Sequence, residues 1–336
     1  MHAVEYDRYG PSEVLNLREV PDAQLRPGTV LVRVTAVSVN PKDTFVRKGR
    51  FRLQAGRSFP KRTGYDASGI VAASGAAAFA TGDRVFGMLN GWSGGAAAEL
   101  VAWPADELAA APRTIPLIEA AAVPLAASTA LQALRDHLAV KAGQSILING
   151  ASGGVGSFAV QIARTMGARV TAICGADRLE HVAALGADAA HDYACGLPSG
   201  RFDGIFDVFG NLQRGEVQRL SASGGRFVTT VPSRANLRAA LAIWRRPRTR
   251  IVNVKARSSD LALLAGLIDA GKVRVNIDRC FSAADAAAAH RHVEGKHTKG
   301  KVLLVFAEGD HGNVERNRFG RGGQSLDRRY PERAGG

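Results

Sequence analysis

The chain has 336 residues, enough for two domains, and 46% of them are apolar, which excludes an intrinsically disordered protein. A formal net charge of +14 raises a nucleic-acid or membrane-surface partner, but no zinc-finger, RNP or helix-turn-helix signature accompanies the charge. Three cysteines, Cys174, Cys195 and Cys280, stand far apart without a CxxC, so a disulfide framework and a cysteine-rich zinc site are excluded, and each is expected to be a small buried residue.

The run Met1 to Arg8 carries charge where a signal peptide needs apolar residues. The longest apolar stretch, Ala120 to Leu131, contains Pro124 and is too short to span a bilayer. A cytoplasmic protein with no membrane partner is expected.

In chain order, residues 1–112 read as β-rich. Val30 to Val37 has strand composition, and Gly69-Ile70-Val71 and Arg84-Val85-Phe86-Gly87 are short apolar runs beside turn residues. Leu117 to Leu138 has helical spacing, interrupted at Pro124. From Gly143 strands and helices alternate: strands at Ser145–Ile148, Arg169–Cys174, Asp203–Phe209 and Arg226–Val231, helices at Gly154–Met166 and Arg178–Leu185. That rhythm predicts a parallel sheet covered on both faces. Lys272–Phe281 and Lys301–Phe306 then read as strands flanking a helix, Ala283–Val293. From Glu308 on, Gly and Arg dominate, which predicts a disordered tail.

One motif carries chemistry. Asn149-Gly150-Ala151-Ser152-Gly153-Gly154-Val155-Gly156 follows a strand and opens a helix, the setting a dinucleotide fingerprint requires. Glycines let the backbone turn tightly and approach a pyrophosphate, and the N–H groups and dipole of the helix start attract the anion. An NAD site usually presents an acid about 20 residues past the first glycine, for the ribose hydroxyls. Here the second strand ends Thr171-Ala172-Ile173-Cys174-Gly175, with no acid at its tip, and Arg178 follows. A guanidinium there would bind a 2′-phosphate, so NADPH is the expected cofactor, although Asp177 beside Arg178 opposes it.

Several short motifs together resemble the quinone oxidoreductase branch of the medium-chain dehydrogenase/reductase superfamily, which includes the zeta-crystallins. They are Tyr6-Asp7-Arg8-Tyr9-Gly10-Pro11, Val39-Asn40-Pro41-Lys42-Asp43, Gly64-Tyr65-Asp66-Ala67-Ser68-Gly69, Gly82-Asp83-Arg84-Val85, the glycine motif, Leu185-Gly186-Ala187-Asp188 and Gly300-Lys301-Val302-Leu303-Leu304. The resemblance implies an α/β fold, with a GroES-like β-rich domain beside a doubly wound Rossmann domain and the active site in the cleft between them. The expected division is residues 1–116 for the first part of the GroES-like domain, 117–271 for the Rossmann domain, 272–307 for the return to the first domain and 308–336 for the tail.

Carried over by that resemblance, Asn40, Asp43 and Phe45 line the nicotinamide side and Thr129 approaches the ribose. Ser152, Gly153, Gly154 and Val155 face the pyrophosphate, and Gly175, Arg178 and Tyr193 surround the 2′-phosphate. Asn211, Val231 and Lys301 are further cofactor contacts. Zinc enzymes of this superfamily carry a Cys near Asn40-Pro41 and Gly-His-Glu at Gly64-Tyr65-Asp66, so no metal site is expected here. His290, His292 and His297 form the only close histidine group and read as surface residues. Related enoyl reductases place a proton-donating Tyr where Phe51 stands, and Phe45 replaces a Tyr common in quinone reductases. Both phenyl rings read either as pocket packing or as an aromatic wall for a flat substrate.

The function implied is NADPH-dependent, zinc-independent reduction of quinones, enones or enals by a homodimer. Asn40 would position the reacting groups, Phe45 and Phe51 would shape the pocket, and the proton would come from solvent. The alternatives are another carbonyl or enoyl reductase of the same fold, or a non-catalytic NADPH- or nucleic-acid-binding protein. For the last, Arg234, Arg238, Arg245, Arg246, Arg248, Arg250, Lys255 and Arg257 form a stretch without acids. It lacks the aromatic interleaving that single-strand binders use, so a solvated basic face is expected.

Overall fold

In a computed structural model, residues 1–92, 94–231, 249–296 and 298–306 are described. The strands are β1 (His2–Tyr6), β2 (Asn16–Glu19), β3 (Thr29–Val39), β4 (Lys61–Arg62), β5 (Asp66–Ser74), β6 (Arg84–Met88), β7 (Leu100–Pro104), β8 (Leu108–Ala110), β9 (Ser145–Asn149), β10 (Arg169–Cys174), β11 (Ala189–Asp192), β12 (Phe202–Asp207), β13 (Ser221–Thr229), β14 (Thr249–Ile251), β15 (Ile277–Ser282) and β16 (Lys301–Val305). The chain is α/β. Among the described residues, β11-β10-β9-β12-β13-β14 form a wholly parallel sheet.

That sheet explains its own sequence. On β9, Ile146 and Ile148 join one hydrophobic cluster while Leu147 between them joins another on the opposite face. Side chains alternate along a strand, so burial on both faces demands a continuous apolar run. The helix Gly154–Thr165 supplies part of the first face through Phe158, Ala159, Ile162 and Ala163. Leu117–Leu138 divides into helices Leu117–Ala120 and Pro124–Gln132 and a π-helical turn, Ala133–Leu138. Pro124 opens the middle helix, where its missing N–H costs nothing.

The second large sheet runs β15-β16-β3-β5-β6-β8, with β7 also on β3. Strand β16 pairs antiparallel with β3, Leu304 opposite Val37, so a late segment completes a sheet begun near the N-terminus. Strands β2-β1-β4 form a small third sheet.

Several expectations differ; β12 ends at Asp207 and β13 begins at Ser221 and ends at Thr229, for example. The strand expected from Lys272 starts only at Ile277. Gly271, at φ 69°, closes the helix Ser258–Asp269, and Val273 donates back to Leu267 O and packs into the parallel-sheet core instead. The helix expected from Arg178 is Leu179–Ala184, preceded by a 3-10 turn, Ala176–Arg178. Cys195 is exposed rather than buried, because it lies in a 3-10 turn after β11, outside the core; Cys174 is buried and Cys280 half-buried.

Candidate active site

The glycine motif sits where β9 turns into the helix Gly154–Thr165. Gly150 has φ 81°, the left-handed region that glycine enters freely. A Cβ on Gly156 would come within 2.1 Å of Gly150 O, so this glycine lets the helix pack against the turn. Gly153 differs: a Cβ there would meet only Gly150 O, at 3.6 Å. The protein's own packing does not require a bare backbone at Gly153, whereas a phosphate drawn close to the helix start would. Ser152 is buried, and Gly154 and Val155 are half-buried beside it.

Strand order reverses between β9 and β12, and there the crevice of an open parallel sheet forms. Asn149, the last residue of β9, donates from Nδ2 to Asp207 Oδ1 at 2.7 Å and to Asn211 Oδ1 at 2.7 Å. Asn211 therefore lies at the switch point. Val231 follows β13 beside Gly210, where a Cβ would strike Val231 Cγ2 at 2.2 Å.

At the end of β10, a Cβ on Gly175 would lie 3.4 Å from Tyr193 Cε1, so Tyr193 covers this corner with an exposed ring. The Arg178 side chain is 13% exposed; its Nη1 donates to Thr298 O at 2.8 Å, and its Nε approaches Asp177 at 3.3 Å. Asp177 is also within 3.5 Å of Lys299 Nζ. The acid that opposed a 2′-phosphate is thus partnered by two cations, which hold its carboxyl below the ordinary range, chiefly through Arg178.

Across the crevice, Asn40 caps the helix Pro41–Arg47 and is 2% exposed. Its backbone N–H donates to Asp43 Oδ2 at 2.8 Å, the Asn-to-Asp half of a capping box. Its Nδ2 donates to Asp66 Oδ1 at 2.7 Å and to Ser38 O at 3.2 Å, and its Oδ1 accepts from Lys301 Nζ. Asp66 also accepts from the Leu125 N–H at 3.1 Å, at the start of the helix that carries Thr129. Thr129 turns its hydroxyl back to Leu125 O at 2.7 Å.

These ionisable groups are all buried. Burial pushes Asp43 up to about 6, with the Asp66 charge adding to the effect. Burial likewise raises Asp66, opposed by Lys301, and lowers Lys301, opposed by Asp66 and Asp43. The network holds charge by mutual hydrogen bonding where isolated charges would be costly.

One apolar cluster joins the two parts of the molecule: Phe51, Tyr65 and Trp92 on one side meet Leu125 and Ala256 on the other. Phe51 lies 4.8 Å from Trp92, ring centre to ring centre. Phe45 lies under Arg50, whose guanidinium carbon is 4.7 Å from the ring centre.

A family model described as "Alcohol dehydrogenase GroES-like domain" matches residues 26–113, and one described as "Zinc-binding dehydrogenase" matches residues 185–304. The chain is 32% identical to the mouse "NAD(P)H oxidoreductase RTN4IP1, mitochondrial" (Mus musculus), over 90% of this chain and 89% of that protein. It is 30% identical to the "Chloroplast envelope quinone oxidoreductase homolog" of Arabidopsis thaliana, over 90% and 98%. Among solved structures, the quinone oxidoreductase from Coxiella burnetii superposes with a TM-score of 0.83 at 28% identity, covering 91% of this chain and 99% of that one.

The chain belongs to the medium-chain dehydrogenase/reductase superfamily.

Within that superfamily it lies in the quinone oxidoreductase-like branch and is an oxidoreductase, with a GroES-like domain beside a Rossmann-type parallel sheet. Tyr65 donates its hydroxyl to Trp92 O at 2.6 Å, and Asn40 and Asp66 satisfy each other. Among the described residues, no group of three His, Cys, Asp or Glu is placed to hold a metal ion. The expectation of surface histidines needs correction. His290 is fully buried on the helix Ala286–Glu294, because that helix presses its face into the β-rich core. His292 is partnered by Asp278, and His297 lies outside the described residues.

No helix of the described residues is long and apolar enough to cross a membrane. Both curated relatives carry organelle names, so they lend the cytoplasmic expectation no support. Within the basic stretch, Arg234, Arg238, Arg245, Arg246 and Arg248 lie outside the described residues, as does the 308–336 tail. Arg257 pairs with Asp136 at 3.0 Å, and Arg250 donates to His137 O at 3.3 Å. The sequence did not single out Lys42, and it offered Asp66 only within a family motif and a lost zinc motif, with no role of its own. Asp66 could have been found as the one acid in Gly64-Tyr65-Asp66; Lys42 gave no signal beyond its place in Asn40-Pro41-Lys42-Asp43.

Proposed function

We propose that the chain is an NADPH-dependent, zinc-independent reductase of quinones and conjugated enones or enals. The carrying observation is an apolar and aromatic cluster drawn from both parts of the chain beside Asn40, with Asn40, Tyr65 and Asp66 hydrogen-bonded to protein partners. The NAD(P)H and quinone named for the two curated relatives support the same reading. For NADPH over NADH, support comes from Arg178 and Lys299 flanking Asp177 beyond a strand without a terminal acid.

When bound, the reduced nicotinamide supplies the hydride. The chain's own part is binding, orientation and exclusion of water. Ser152, Gly153, Gly154 and Val155 would receive the pyrophosphate, and Gly175, Arg178 and Tyr193 the adenosine end. Asn211 and Val231 would border the switch point, with Thr129 near the ribose. Asn40, held by Asp43, Asp66 and Lys301, fixes the start of the helix Pro41–Arg47, and Phe45 and Phe51 shape the acceptor side. The domain division at 116/117, 271/272 and 307/308, and the homodimer, belong to the same proposal. The test is activity after dialysis against a strong chelator. Retained NADPH oxidation with a quinone supports the reading; loss that zinc alone restores contradicts it.

A further inference from the structure

Lys42 occupies the second position of the helix that Asn40 caps. Its side chain is half-buried and folds back onto the protein. The ammonium stands 3.7 Å from the centre of the Tyr65 ring and 5.3 Å from that of Trp92, and it donates to Gly91 O at 3.0 Å. Tyr65 and Trp92 belong, with Phe51 and Leu125, to the cluster that joins the two parts of the chain. A cation is thus held against the aromatic residues of that cluster, two residues from Asn40. An ammonium has three N–H bonds. One serves Gly91 and one faces the Tyr65 ring; the third has no acceptor among the described residues.

We infer that Lys42 is the proton donor of the reaction, delivering its proton to the oxygen of the reduced acceptor. The inference rests on the reductase reading above and deepens it, replacing solvent as the direct proton source. The reductant is the nicotinamide cofactor of that reading. Once the conjugated acceptor has gained hydride, an electron pair resides on its oxygen. One Lys42 N–H bond breaks, an O–H bond forms, and the hydroquinone or enol leaves neutral. The remaining Lys42 amine regains a proton from water.

The surroundings suit this task. Burial brings the Lys42 ammonium down to about 8, while the Asp43 and Asp66 charges oppose the shift; Tyr65, itself raised by burial, stays neutral beside it. A donor works best when its proton affinity lies near the working pH. A cation over an aromatic face also keeps its position without a fixed counter-ion, so no carboxylate competes for the proton.

Two measurements test the inference. The first needs no turnover: competitive acylation of the cofactor-free protein across pH, with Lys42 followed by peptide mass spectrometry. Half-reactivity near pH 8 is expected; half-reactivity at the ordinary lysine value, about 10.4, would overturn it. The second compares pH profiles of kcat in the unmodified protein, Lys42→Met and Lys42→Arg. The unmodified protein should lose kcat as pH rises through the Lys42 transition. Lys42→Met should lower kcat on the order of 10²-fold and abolish that limb. Lys42→Arg should keep cofactor affinity but move the limb beyond the accessible range, since arginine does not release its proton there. Normal turnover with the same limb in both variants would overturn the role of Lys42 and leave the reductase reading standing. Absence of turnover in the unmodified protein against every quinone and enone would refute the reductase reading and the donor role with it.

Discussion

Lys301 Nζ donates to Asn40 Oδ1, tying the first residue of β16 to the cap of the helix Pro41–Arg47. The same lysine stem runs past the glycine motif, where a Cβ on Gly154 would come 2.8 Å from Lys301 Cδ. One side chain therefore spans from the glycine turn to the cap of the helix Pro41–Arg47. Any ligand held by the glycine turn is registered, through Lys301 and Asn40, against the start of the acceptor-side helix.

Asn40→Ala should consequently act on both stability and rate. It strands the buried Lys301 ammonium and removes one of the hydrogen bonds to Asp66, which keeps the Leu125 N–H. A lost buried partner costs about 1–3 kcal/mol, so the melting temperature should fall by several degrees. Turnover should fall more than NADPH affinity, because the helix start is displaced while the glycine turn is intact. Calorimetry, cofactor titration and initial rates on one preparation decide this; unchanged melting and unchanged kcat would contradict it.

Arg178→Glu should weaken NADPH at least tenfold and leave NADH nearly unchanged, since a charged hydrogen bond contributes roughly 1.5–3 kcal/mol. The change also releases Thr298 O and leaves Asp177 with Lys299 alone. Titration of nicotinamide fluorescence with each cofactor is the check. Equal affinity of the unmodified protein for NADPH and NADH would remove the basis for the preference.

The parallel sheet was legible because continuous apolar runs such as Ile146-Leu147-Ile148 arise when both faces are covered, and the glycine turn because its spacing is backbone chemistry. The pairing of β16 with β3 was not readable from periodicity; it joins residues more than 250 positions apart and entered only through family resemblance. Lys42 was missed for a related reason. Its neighbours Tyr65, Gly91 and Trp92 come from a different part of the chain, and nothing local marks a lysine that folding will carry into an aromatic corner. His290 was misread because a histidine on an otherwise amphipathic helix looks the same whether its face is buried or free.

His290 should make the protein acid-sensitive. Both ring nitrogens are buried without a hydrogen-bond partner, and Arg47 and Lys48 lie near, paired with Glu294. Burial first, then these cations, press the imidazole down to about 3. The folded value lies below the unfolded one, about 6.5. The neutral ring's contribution is therefore complete above pH 6.5 and is lost as pH falls toward 3. Replacing His290 by Leu, of similar bulk, should flatten the fall of melting temperature between pH 6.5 and 4. An identical pH slope in the variant would show that other groups govern acid unfolding.

The acceptor range tests the proposed activity most directly. Hydride addition to a quinone or enone spreads the developing negative charge by delocalisation, whereas addition to a simple carbonyl builds a localised alkoxide charge that a metal or strongly positioned electrophile must stabilise. Initial rates should be measured side by side for NADPH with benzoquinone, NADPH with an alkenal, and NADP with ethanol. Reduction of the quinone or the alkenal, with ethanol oxidation negligible, is the expected result; ethanol as the best substrate, with quinone and alkenal both inert, would contradict it.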